Sequence, residues 1–85
     1  MEIVAGKKFS ENLKDLVSGN PSSSTKVEKK LLILLENPKH PSLRLHKLSG
    51  TNNYSISVDL SIRIILHFEG DKIFLLKIGK HEEVY

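Results

Sequence analysis

Residues 54–78, YSISVDLSIRIILHFEGDKIFLLKI, decide the architecture. From Tyr54 to Val58, apolar residues alternate with Ser55 and Ser57, the pattern of a strand with one buried face. The triplet DLS (59–61) reads as a turn, and IRIILHFE (62–69) as the next strand. Gly70-Asp71 is a two-residue hairpin connection with glycine first, where a type II′ turn needs a positive φ. The stretch KIFLLKI (72–78) then returns as the last strand. A turn between Glu69 and Lys72 sets Leu66 opposite Leu75, Ile64 opposite Lys77 and Arg63 opposite Ile78. A first hairpin centred on Leu60 sets Val58 opposite Ile62 and Ser57 opposite Arg63. One face then collects Tyr54, Ile56, Val58, Ile62, Ile64, Leu66, Phe68, Ile73 and Leu75, and is expected to take helices. The other, with Ser55, Ser57, Arg63, Ile65, His67, Phe74, Leu76 and Ile78, is mixed and expected to be partly wet.

Upstream, EIVA (2–5) is a short strand. In KKFSENLKDLVSG (7–19), Phe9, Leu13 and Leu16/Val17 have helical spacing, and Gly19 is placed to end the helix. NPSSS (20–24) reads as a loop, and Thr25 and Glu28 have the spacing of a capping box. The helix that follows carries Val27, Leu31, Leu34 and Leu35 as one stripe. Asn37-Pro38 ends it. Two helices joined by so short a loop predict a hairpin. The order is β-α-α-β-β-β, an α+β fold with an antiparallel sheet and the helical hairpin packed on one face.

A chain of 85 residues has room for one core, so residues 1–85 are expected to form a single domain. Hydrophobic content of 39% with 27% charged residues suits a globular chain rather than a disordered one. The absence of cysteine excludes disulfides and thiolate catalysis and fits a reducing, cytoplasmic setting. No apolar run approaches the ~18 residues that span a membrane, and MEIVAGKKFS lacks the pattern of a signal peptide. The net charge of +3 is concentrated in GKKF, KVEKK, PKHPSLRLHK and KIGKH. That points to a polyanionic partner, either nucleic acid or an acidic protein.

The segment IGKHEEVY (78–85) reads as the end of a strand, a turning glycine, and then His81 and Tyr85. The predicted register brings Arg63 beside that strand end, so its guanidinium and the His81 imidazole are expected to approach one another. An arginine is a fork of donors suited to phosphate. A histidine gives or takes a proton near neutral pH. Together they suit RNA cleavage by the substrate's own 2′-OH, in which one group removes a proton, another protonates the leaving oxygen, and a cation stabilises the phosphorane. There is no glycine-rich phosphate loop, nucleophile elbow or repeated aromatic platform. His40, His46, His67 and His81 lack metal-ligand spacing, so neither a metal nor a cofactor is expected.

In that order and spacing, LHKLSG (45–50), YSISV (54–58), IRII (62–65) and LLKIGKHEEVY (75–85) resemble the RelE/ParE superfamily of toxins. A strand followed by G-x-H, with an aromatic four residues beyond the histidine, is most similar to the YafQ-type branch. The motifs cover residues 43–85; over 1–40 the likeness is architectural. The resemblance implies a ribonuclease that cuts messenger RNA in the ribosomal A site and is neutralised by a cognate antitoxin. It implies that His81 is the catalytic proton donor or acceptor, that His46 supports cleavage, that Arg63 holds the scissile phosphate and that Tyr85 orients the base. Lys47 and Lys80 are expected to contact the RNA backbone. Ser61 and Ile62 depart from the acid and aromatic of that branch, and Ser57 from a further histidine, which leaves a thinner acid–base set. Asp59 is close enough to offer a carboxylate. Two other readings stay open: a ParE-like inhibitor of DNA gyrase that catalyses nothing, and a catalytically weakened protein whose task is to bind an antitoxin.

Overall fold

The computed structural model describes residues 1–84. Along them run β1 (Glu2–Ala5), α1 (Lys7–Gly19), α2 (Ser23–Glu36), a 3-10 turn over Pro41–Leu43, β2 (His46–Lys47), β3 (Tyr54–Ser57), β4 (Ile62–Glu69), β5 (Lys72–Lys80) and α3 (His81–Val84). The strands lie in the order β1-β5-β4-β3-β2. All neighbours are antiparallel except β1 and β5, so the sheet is mixed rather than wholly antiparallel. The first strand adds to the outer side of the last one, and the chain then leaves through Gly6. A Cβ on Gly6 would sit 2.8 Å from the Leu75 carbonyl oxygen, which explains a glycine there.

The Gly70-Asp71 hairpin forms as the sequence predicts, with Gly70 at φ 60° and Glu69 paired with Lys72. The predicted register runs as far as Leu66 with Leu75 and then fails by one residue. Ile65 pairs with Lys77, Ile64 with Ile78, and Arg63 with Gly79, so Leu76 is the extra residue of a β-bulge. The period of a strand is two, so one extra residue exchanges the faces of everything beyond it. Ile78 goes to the helix side, where it is 3% exposed, and Lys77 goes to the other side. A regular ladder would have buried the lysine and wetted the isoleucine. The first hairpin keeps its predicted register, Ser57 opposite Arg63.

Phe9 of α1 and Val27 and Leu34 of α2 pack with Leu43 onto Ile56, Val58, Ile62, Ile64, Leu66, Ile73, Leu75 and Ile78. Tyr54 and Phe68 meet edge to face, their centroids 5.4 Å apart. The expected capping box is absent, because α2 starts before Thr25. Turns at Asn20 and Pro21, with Ser23 N–H donating to the Asn20 carbonyl at 3.0 Å, run straight into the helix. Ser23 is buried at that junction. Gly19 closes α1 without a left-handed cap, the Asn20 amide bonding the Leu16 carbonyl at 2.9 Å instead. Leu35, expected in the buried stripe, is 41% exposed beside Leu32. Gly79 does not turn the chain; it is a buried strand residue, because Ile62 and Arg63 continue the ladder to Lys80. Among the described residues no helix is long and apolar enough to cross a membrane.

The turn between β3 and β4 is built on Asp59. Its Oδ1 accepts from the Ser61 and Ile62 amides at 2.9 Å each and from the Ser61 hydroxyl at 3.2 Å, while Lys26 Nζ of α2 lies 3.3 Å from Oδ2. Burial pushes this carboxyl up, but those amides, with Lys26 and the Ser61 hydroxyl, together outweigh it and hold it below its ordinary value. A depressed folded pKa means the stabilisation is complete above the unfolded value of about 3.9 and is lost as pH falls through the folded one. Asp59→Asn is therefore expected to lower stability by about 1–3 kcal/mol at neutral pH. In urea titrations the gap to the wild type should close as pH drops below about 4.

Candidate functional site

Across the sheet face away from the helices, pairing lays down two adjacent rows. His46, Ser55, Ile65 and Lys77 form one, from β2 through β3 and β4 to β5. Ser57, Arg63 and Gly79 form the next. Ser55, Ser57 and Ile65 are buried, so this face is drier than its composition suggests. His46 and Lys77 stand exposed at the two ends of the first row, and Arg63 lies between them.

Arg63 is fixed on its strand. Its Nε donates to Ser55 Oγ at 2.5 Å, and Nη2 donates to the Arg44 carbonyl at 3.2 Å. Arg44 follows the 3-10 turn and adopts φ 48° and ψ 47°, the left-handed conformation, which costs a residue with a Cβ about 1–2 kcal/mol. The turn before it is held at both ends. The Ser42 amide donates to His40 Nδ1 at 3.1 Å, and Lys30 Nζ donates to the Ser42 carbonyl at 2.8 Å. The backbone is thus bent so that one carbonyl meets the guanidinium.

His81 opens α3, its amide donating to the Ser61 carbonyl at 3.1 Å, and the short helix packs on β4 and β5. The Arg63 guanidinium reaches over β3 towards Arg44, where Ser55 and that carbonyl accept from it. Lys47 pairs with Tyr54 and so occupies the face opposite His46. Lys80 pairs with Ile62 at the open end of the sheet. Tyr85, the expected base-orienting aromatic, lies outside the described residues. Asp59 is engaged by its own turn and by Lys26 and is not aimed at the Arg63 face.

Lys77 and Ser55 join this face without having been singled out from the sequence as site residues. The bulge at Leu76 leaves no local signal by which Lys77 could have been found. Ser55 could have been found, since the alternation in YSISV puts it on the same face as Ser57, which is opposite Arg63. Among the described residues no three His, Asp or Glu side chains cluster to hold a metal.

No protein-family model and no curated protein matches the chain. Solved structures do. A copper-bound mutant toxin from Helicobacter pylori superposes with a TM-score of 0.86 at 19% identity, covering 100% of this chain and 99% of that one. YafQ in its complex with DinJ from E. coli gives 0.80 at 17%, covering 98% and 96%. A YoeB/ParE toxin from Agrobacterium tumefaciens gives 0.81 at 11%, covering 95% and 99%. The chain has the RelE/ParE toxin fold. In this RelE/ParE arrangement the helices cover one side of the sheet, and His46, Arg63 and Lys77 stand on the other.

Ser55→Ala removes the acceptor of a partly buried guanidinium N–H. It is expected to lower stability by about 1–3 kcal/mol in urea unfolding. It should also broaden or shift the Arg63 Nε resonance in NMR spectra; an unchanged resonance would show that Ser55 does not hold the side chain.

Proposed function

We propose that the protein is the toxin of a type II toxin–antitoxin pair and cleaves messenger RNA in the ribosomal A site. The observation that carries this reading is that His46, Arg63 and Lys77 share one sheet face, with His81 directly after its last long strand. With two donors anchored, Arg63 keeps its other N–H groups for the non-bridging oxygens of the scissile phosphate. Lys77 adds a second cation to the same charge. His46 takes the 2′-OH proton as that oxygen attacks phosphorus, and His81 gives a proton to the 5′ oxygen as its bond to phosphorus breaks. The products are a 2′,3′-cyclic phosphate and a 5′-hydroxyl. Tyr85 stacks on the base beside the cut, and Lys47 and Lys80 contact the backbone. No cofactor takes part in this scheme.

The partner that silences it is an acidic antitoxin, as DinJ accompanies YafQ in their complex. Phe74 and Leu76, half-buried, are the apolar side chains it would cover; Ile65, also expected there, is already buried. A second reading, binding and inhibition of DNA gyrase without catalysis, is favoured by one observation. Ile62 packs in the core and Ser61 bonds Asp59, so no acid or aromatic stands where the YafQ branch places them. An antitoxin-binding protein with little activity shares that observation.

Expression of the wild type is expected to produce codon-phased cuts when cellular mRNA 5′ ends are mapped soon after induction. Acid–base residues contribute about 10²–10⁴-fold, so His81→Ala should abolish the cuts and His46→Ala should reduce them strongly. Growth arrest without cuts, equal in the wild type and His81→Ala, would transfer the assignment to gyrase.

A further inference from the structure

β5 is paired with β1 only over Lys72–Leu75, through Glu2–Ala5. Beyond that point a cleft of about 720 Å³ lies between α1 and the last residues of β5. Such a volume lies in the range of small-molecule and cofactor sites. Lys8, Asn12 and Asp15 of α1 form one wall; Ser61, Lys80 and Val84 belong to the other end. Leu16 of α1 and the buried Ile62 and Ile78 add apolar side chains to its lining.

The charge in this cleft is unevenly balanced. Lys8 and Lys77 line it from two separate elements, against Asp15 and Asp59. Asp59 is offset by Lys26 and by two backbone amides. Lys8 and Lys77 enter no ion pair among the described residues. An open, polar cleft with surplus ammonium groups and an Asn side chain suits a sugar–phosphate chain.

Its position matters as much as its lining. Lys77 borders both regions, paired with Ile65 on the Arg63 face and lining the cleft at the strand edge. Ser61, whose carbonyl holds the His81 amide, lines the cleft too, and Val84 at the other end of α3 closes it. We propose that this cleft is a second RNA subsite, which receives the single-stranded sugar–phosphate chain as it leaves the scissile phosphate. The assignment rests on the ribonuclease reading for its orientation, but its binding test is independent of cleavage.

Anisotropy titrations with fluorescein-labelled, uncleavable 2′-O-methyl RNA of about twelve nucleotides, long enough to fill both regions, provide that test. A labelled trinucleotide serves as the short probe. Lys8→Glu is expected to weaken binding of the long RNA about tenfold. It should also make the log–log salt dependence shallower by about 0.7 for each phosphate that the variant no longer neutralises. Binding of the trinucleotide and the far-ultraviolet dichroism should not change. Equal affinity of the wild type and Lys8→Glu for the long RNA overturns the proposal, as does the absence of measurable binding by the wild type. A loss confined to an acidic polyglutamate probe, with RNA binding intact, also overturns it and assigns the cleft to a protein partner. If Lys8-dependent binding occurs in a protein that makes no cuts in mRNA, the subsite stands and the ribonuclease reading falls.

Discussion

The pairing of β4 with β5 is the constraint on which the rest depends. These are the two long strands, and every other part of the sheet is added to one of them: β1 to the far side of β5, β3 and then β2 to the far side of β4. The Gly70 turn starts their register, and the bulge at Leu76 resets it before the strands end. The hydrophobic requirement explains the reset. Ile78 must reach the helices to complete a small core, and a single extra residue delivers it at the cost of one irregular step in the ladder. The same step turns Lys77 outward. Packing on one side of the sheet and charge on the other are thus set by one residue.

The candidate site is organised around a second constraint, the fixing of an arginine. An exposed arginine samples many rotamers, and holding it ready for a phosphate loses that freedom before the ligand arrives. Here Ser55, fully buried, and the Arg44 carbonyl take up two of its donors. The strain at Arg44 is kept by a turn tied to α2 through Lys30 and capped by His40. Sites that store unfavourable backbone geometry tend to be those where preorganisation is used. The histidines differ in this respect: His46 sits on a two-residue edge strand and His81 on a one-turn helix, so both stand on the lighter parts of the scaffold.

Much of this was legible in the sequence wherever the signal was local. Alternation in YSISV, the Gly-Asp hairpin and the stripe in helix 7–19 depend on neighbours within a few residues, and each produced the element expected. What failed depended on distant partners. The bulge answers to the core on the far side of the sheet, and no pattern within KIFLLKIGK marks it. β2 is too short to show a period at all. Gly79 looked like a turn residue because glycine often is one, yet the decisive fact was that β4 extended far enough to pair with it. Thr25 and Glu28 had the right spacing for a cap, but the turns at Asn20 and Pro21 had already led into the helix at Ser23, two residues earlier. The place of Arg63 opposite Ser57 was legible, though its hydrogen-bond partners were not, since an arginine points to whichever acceptors the fold supplies.

The parallel pairing of β1 with β5 joins segments that are far apart in the order of synthesis. Glu2–Ala5 leave the ribosomal tunnel with nothing to pair against, while the hairpin that will receive them is still being translated. Pairings this distant along the chain close late and slowly, since the loop between them must be ordered first. The nascent chain therefore stays open until β5 emerges, and Gly79, Lys80 and His81 are assembled in that same closing step.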